Sequence, residues 1–264
     1  MPGHGSGAHS NERSHIAMQT RSHVHRHALR TASTTLGLFL TVLGIAVFFR
    51  LASPAAVELA RPISPPLADL PNSTPSGTGR AVFAGGCFWG VQAVFQHTKG
   101  VTSAVSGYAG GTPAAPSYEQ VSSGATGHAE SVEITFDPKQ ISYGRLLQIY
   151  FSVAHDPTQL NRQDPDEGTQ YRSEIFATSD TQQRAAEAYI AELDKARAFP
   201  RQIVTKVERL KAFYPAESYH QDYATLHPDS LYIAAYDLPK IANLKKLYPE
   251  FYREQAVLVG GDHR

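Results

Sequence analysis

Arg80-Ala81-Val82-Phe83-Ala84-Gly85-Gly86-Cys87-Phe88-Trp89-Gly90 is the stretch on which the reading of this chain turns. Arg80–Ala84 is apolar enough for a short buried strand. Gly85-Gly86 lets the backbone turn sharply, and Val91, Val94 and Phe95 then recur at helical spacing, so a helix is expected from Cys87 to about His97. Cys87 therefore opens a helix. Free amide N–H groups and the positive end of the helix dipole face its sulfur, which favours thiolate over thiol and lowers the expected pKa. Phe88 and Trp89 place two large aromatic side chains beside it.

Working outward, the pattern alternates between strand and helix. Thr102–Tyr108 reads as a strand. In Ala129–Phe136, Val132, Ile134 and Phe136 share one face and Ser131, Glu133 and Thr135 the other. Leu146, Ile149, Tyr150 and Val153 mark a helix, Arg172–Thr178 a strand, and Ser179-x-x-Gln182 a capping box ahead of a helix carrying Ala186, Tyr189, Ile190 and Leu193. Gln202–Glu208 reads as a further strand. Leu238, Ile241, Leu244, Leu247 and Tyr248 give a tail helix, expected to pack on the domain. Mixed strands and helices without a strict βαβ period indicate α+β. The expected architecture is a ferredoxin-like two-layer α/β sandwich with long coil segments, preceded by an N-terminal apolar helix.

The chain has 264 residues and balances 24 basic against 24 acidic side chains. A neutral chain lacks the surplus of Lys and Arg that phosphate binding requires, so no nucleic-acid partner is expected. The single cysteine excludes an intramolecular disulfide, a Cys-rich zinc site and a two-cysteine redox motif. His128, His155 and His220 lack short metal-ligand spacing, and no metal is expected.

The first 80 residues differ from the rest. Residues 1–33 hold six of the twelve histidines and read as a disordered basic, His-rich tail, with metal binding by His23–His27 as the alternative. Leu36–Phe49 (LGLFLTVLGIAVFF) is uncharged and closed by Arg50. Residues 34–50 are read as a transmembrane signal anchor or a signal peptide, short against the roughly 20 residues that cross a bilayer. The preceding basic residues favour a cytoplasmic N-terminus. The expectation is a membrane-anchored protein with its catalytic domain on the non-cytoplasmic side, or a secreted one if the segment is cleaved. Residues 51–79 carry six prolines and read as a linker. Residues 80–236 would then be the catalytic domain and 237–264 the tail helix and end.

Glu130 shares strand parity with Val132, Ile134 and Phe136, so its carboxyl should point to the apolar face. Desolvation there raises its pKa and keeps it protonated near neutrality, which suits a general acid.

Gly86-Cys87-Phe88-Trp89-Gly90 resembles the signature of the peptide methionine sulfoxide reductase A family. Five further motifs extend the resemblance over about residues 80–227: Ser106–Gly111, Gly124–Glu130, His155-Asp156-Pro157, Gly168–Ser173 and Tyr219-His220-Gln221. The resemblance implies a peptide-methionine (S)-S-oxide reductase. Its substrates would be oxidised methionine in proteins and free methionine sulfoxide, with selectivity for the S epimer. It implies Cys87 as nucleophile ending as a sulfenic acid, Glu130 as acid, Tyr118 and Tyr171 as hydrogen-bond donors, and Phe88, Trp89 and Asp166 as substrate-binding residues. No bound cofactor is implied. Many relatives carry resolving cysteines in the tail; here the tail has none, and position 122 is Ser where some relatives have Cys. An external thiol reductant (thioredoxin, glutaredoxin or glutathione) must then reduce the sulfenic acid, acting on what is expected to be a monomer. Two rivals remain: a cysteine hydrolase or peroxidase with His128 or His220 as base, and a membrane-tethered binder of oxidised methionine without turnover.

Overall fold

The computed structural model describes residues 60–70 and 77–259. β1 (Gly79–Gly85) is the hub of a six-stranded sheet with β2 (Val101–Ala109), β3 (Ala129–Phe136), β6 (Ser173–Ala177), β7 (Lys206–Arg209) and β8 (Phe213–Pro215), in the order β7-β6-β1-β3-β2-β8. β6 and β7 run parallel and every other pair antiparallel. A two-stranded ladder joins β4 (Arg162–Gln163) to β5 (Asp166–Glu167). The fold is mixed α and β, as the alternating periodicities predict.

The two faces of β1 explain the layering. Ala81 and Phe83 point into the main core, where α1 (Phe88–Gln96), α3 (Tyr143–Ile149) with its π-helical continuation Tyr150–Ala154, and α4 (Asp180–Lys195) pack with Val132, Ile134 and Ile175. Phe83 is fully buried and stacks on Tyr150 at a centroid distance of 4.8 Å; truncating such a ring to Ala costs about 3–5 kcal/mol. Val82 and Ala84 point the other way, to a smaller cluster with Ala109, Ala129 and Phe176, against which Leu210 and, from β8, Phe213 pack. The period-2 alternation of one strand thus feeds two apolar layers.

Several boundaries depart from the sequence reading. The first helix begins at Phe88, and Cys87 is its N-cap rather than its first residue. Ser179 does cap α4, accepting from Gln182 N–H at 3.1 Å. The reciprocal half of the box fails: the Gln182 carbonyl oxygen instead takes the N–H of Thr178, and its amide donates to Arg80 O. Of the strand expected over 202–208, only 206–209 forms. Ile203 N–H donates to Asp194 and Val204 N–H to Pro157 O, so this backbone is already satisfied off the sheet.

Within the stretch read as a linker, residues 60–70 lie along the domain. Arg61 N–H donates to Ser152 O at 3.1 Å, Tyr189 OH to Ser64 O at 2.6 Å, and Asp69 accepts from Gly144 N–H at 2.8 Å at the head of α3. The carbonyls of Arg61, Ile63 and Ser64, which flank the prolines, find donors on the domain in Ser152, Gln148 and Tyr189. Among the described residues no helix is long and apolar enough to cross a membrane. The apolar run 36–49 and the His-rich tail lie outside the described residues.

α5 (Leu238–Leu247), entered through a π-helical turn Ile233–Asp237, buries Leu244 in the main core, and the α5 segment packs against α1. The boundary drawn between 236 and 237 falls inside this continuous helical segment.

Candidate active site

β1 delivers Cys87 through two glycines that no larger residue could replace. A Cβ on Gly85 would lie 2.9 Å from the His155 ring. Gly86 has φ +90°, and a Cβ there would meet Gln163 at 2.5 Å. The chain thus turns within two residues, and the Cys87 sulfur sits at the head of α1, 9% exposed. The neighbouring Phe88 N–H donates to Oε2 of Glu130 at 3.0 Å, so the start of α1 is tied to β3 beside the sulfur.

Glu130 is 2% exposed. Burial pushes its carboxyl up to about 8, against the opposing Phe88 N–H, with the charges of Asp166 and Asp237 adding to the rise. This is the neutral carboxyl that the strand parity predicts. The sulfur behaves otherwise than expected. Burial first, then repulsion from Asp237 and, once it ionises, from Glu130, push the Cys87 thiol well above its usual range; the Trp89 N–H at the helix head pulls the other way. The expected resting thiolate is therefore corrected. One amide dipole does not replace the water lost by enclosing the sulfur, and two nearby carboxyl groups oppose a second negative charge.

Tyr118 lies at the start of α2 (Tyr118–Ser122), which Ser117 and Gln120 begin with a true capping box. Its backbone N–H donates to one oxygen of Glu217 at 2.9 Å, while the other accepts from Tyr108 OH at 2.9 Å. Tyr171 closes the short 3-10 turn Thr169–Tyr171 ahead of β6. Burial, and in both cases the charge of Glu130, raise the two phenols; Tyr118 reaches about 12. Both stay protonated and lie within electrostatic reach of Cys87, so both are donors at this site. Asp166, on β5, accepts from Tyr232 OH and is raised by burial.

Phe88 is fully buried, against Tyr108 at 5.9 Å and His220 at 5.1 Å. Trp89 is part-exposed and stacks on Tyr223 at 3.9 Å, with Tyr232 edge-on at 6.1 Å. His220 is buried and kept neutral by its surroundings; its ring also packs on Tyr118 at 4.4 Å. The structure therefore brings Cys87, Glu130, Tyr118, Tyr171 and Asp166 into one electrostatic neighbourhood, floored by Phe88 and walled by Trp89.

Sequence reasoning gave His220 a role only in the rival hydrolase reading and assigned none to Glu217, Tyr223, Tyr232 and Asp237. Tyr219-His220-Gln221 stands out as a motif, and Gln221 is what docks that segment: its side chain bonds Ser106 N–H and O and receives the Gln92 amide at 2.8 Å. Tyr232 and Asp237 carry no local signal, because only the packing of the C-terminal segment brings them near. Among the described residues, no group of three or more His, Cys, Asp or Glu side chains could hold a metal ion.

A neutral carboxyl and two phenolic donors over an aromatic floor gather around one thiol at a helix head, the make-up of a cysteine-centred enzyme site. A profile of the peptide methionine sulfoxide reductase family matches residues 79–251, and the chain belongs to that family. A peptide methionine sulfoxide reductase MsrA 2 of Mesorhizobium japonicum is 63% identical over 183 residues, covering 69% of this chain and 94% of its own. One of the same name from Synechocystis is 48% identical over 216 residues, covering 81% and 99%. Among solved structures, reduced Mxr1 from Saccharomyces cerevisiae superposes with a TM-score of 0.56 at 33% identity, covering 62% of this chain and 93% of that one. Methionine sulfoxide reductase A of Corynebacterium diphtheriae gives 0.51 at 32%, covering 64% and 82%. The chain is an oxidoreductase of the MsrA type.

Proposed function

We propose that this chain reduces methionine S-sulfoxide, in proteins and free, to methionine. The observation that carries the reading is the neutral Glu130 carboxyl bonded to Phe88 N–H at the foot of the Cys87 helix. The resting cysteine is a thiol. As the sulfur attacks the substrate sulfoxide, Glu130 delivers a proton to the sulfoxide oxygen while Tyr118 and Tyr171 hold that oxygen, and Cys87 gives up its own proton to restore the acid. The oxygen passes to Cys87, so the thiol and the sulfoxide become a sulfenic acid and a thioether. Phe88 and Trp89 hold the S-methyl group, and Asp166 fixes Tyr232 at the rim.

Cys87 is the chain's one cysteine, so an external thiol closes the cycle. Two thiols, from a thioredoxin, a glutaredoxin or glutathione, reduce the sulfenic acid to the thiol, form a disulfide and release water. The strand order β6-β1-β3-β2, with α1 and α3 on one face, fits a ferredoxin-like core. The apolar run 36–49 and its basic flank support a membrane-anchored enzyme on the non-cytoplasmic side, or a secreted one after cleavage, where a dedicated reductant is needed.

The test is an assay of the full chain on resolved R and S methionine sulfoxides with each of the three reductants in turn. Turnover of the S epimer alone is expected. In the absence of thiol, one equivalent of sulfoxide should leave Cys87 one oxygen heavier by mass spectrometry; product formed beside unmodified Cys87 sinks the mechanism.

A further inference from the structure

We propose that Asp237, held by the C-terminal segment against the first turn of α1 and paired with Lys240, is a positioning residue that sets the charge on the Cys87 sulfur. This rests on Cys87 being the nucleophile.

The carboxylate is fully buried, and Lys240 Nζ stands 3.6 Å from Oδ1. It lies directly against Gly90: a Cβ there would fall 2.1 Å from Oδ1 and 3.1 Å from Nζ, so only glycine leaves room for the pair. Gly90 is the third residue of the helix that Cys87 caps. The side chain of an N-cap and the amides of the second and third helical residues occupy the same end of a helix. The carboxylate therefore lies beside the first turn of the helix that Cys87 caps, and Lys240 is its partner there. A buried carboxylate whose partner cation stands 3.6 Å away is only partly compensated, and it opposes negative charge on its neighbour.

The charged and titratable groups around the pair are Glu130 on β3, Asp166 on β5, Tyr118 on α2, Tyr171, Tyr232 and Lys240. Asp237 adds to the rise at both Cys87 and Glu130, and burial places its own carboxyl at about 6. The consequence is a sulfur held as thiol in the empty site. It is a poor target for stray oxidants, which attack thiolates.

Because Cys87 is the chain's one cysteine, iodoacetamide alkylation of the full protein reports this sulfur alone. We expect D237N to lower the pH midpoint of alkylation. One pKa unit multiplies the thiolate about tenfold, and the accompanying loss of nucleophilicity takes back about threefold, leaving alkylation about threefold faster at pH 7. The unsubstituted protein should show a second inflection near pH 6, absent from D237N. K240Q should move that inflection upward, since losing the cation raises the neighbouring acid. A D237N profile that superimposes on the parent overturns the proposal. Should D237N fail to fold, a K240Q inflection that stays in place overturns it instead. Alkylation does not require turnover, so shifted profiles with no sulfoxide reduction by the parent would refute the proposed function and leave the coupling standing.

Discussion

The N–H of Phe88 and the carboxyl of Glu130 are joined across 3.0 Å although 42 residues separate them in the chain. Phe88 is the first residue of α1 and Glu130 the second of β3, so the nucleophile's helix and the acid's strand are locked at the point where the chemistry occurs. The bond is made to a carboxyl that burial keeps neutral up to about pH 8.

Activity should therefore fall as pH rises through about 8, where Glu130 loses the proton it must deliver. Glu130→Gln keeps an oxygen for Phe88 N–H but has no acid, so kcat/KM should drop by about 10²–10⁴ and the alkaline limb belonging to Glu130 should disappear. A variant within twofold of the parent across pH 6–9 sinks this assignment.

The same carboxyl makes a pH-dependent demand on stability. Unfolded, it titrates near its ordinary value of 4.5; folded, near about 8. Between those values the folded protein holds a proton that the unfolded chain releases, so stability is full below about 4.5 and declines toward about 8. Thermal melts of the parent and Glu130→Gln should diverge with rising pH over that window, the variant becoming the more stable. Parallel melting curves would show that Glu130 is not held neutral.

Tyr118 and Tyr171 stay protonated and flank the acid from separate elements. A donor serving a charged oxygen contributes about 1.5–3 kcal/mol, or roughly 10–100-fold in rate. Tyr118→Phe and Tyr171→Phe should each lower kcat by that factor with little change in melting temperature. An effect confined to KM would mean that the phenols bind substrate without stabilising the reacting oxygen.

In the segment 60–70, Asp69 accepts from Gly144 N–H at 2.8 Å and from Ser142 OH at the head of α3. Asp69→Ala should cost about 1 kcal/mol, a fall of about 2–4 °C in melting temperature, with sulfoxide reduction intact. An unchanged melt would mean that residues 60–70 rest on the domain without holding it.

Much of this protein is legible in one dimension, and the reason is local. β3 appears in the sequence at its true limits because alternation over eight residues reports a sheet face directly, and the same parity places Glu130 indoors. Gly85-Gly86 announces the turn that presents Cys87, since a positive φ and two close approaches leave no alternative residue. The strand expected over 202–208 fails in its first half because Ile203 and Val204 find their hydrogen-bond acceptors on Asp194 and Pro157, which no local pattern discloses.

The protonation of the sulfur was decided only by the tertiary structure. Position at a helix head argues for thiolate, and sequence can see the helix head. It cannot see that Glu130 and Asp237 arrive from elsewhere in the chain and that water is excluded around all three. A helix terminus is a property of neighbours along the chain, whereas desolvation and Coulomb repulsion belong to neighbours in space. The residues that carry the chemistry were thus written locally, and the charge they carry was settled by what packs against them.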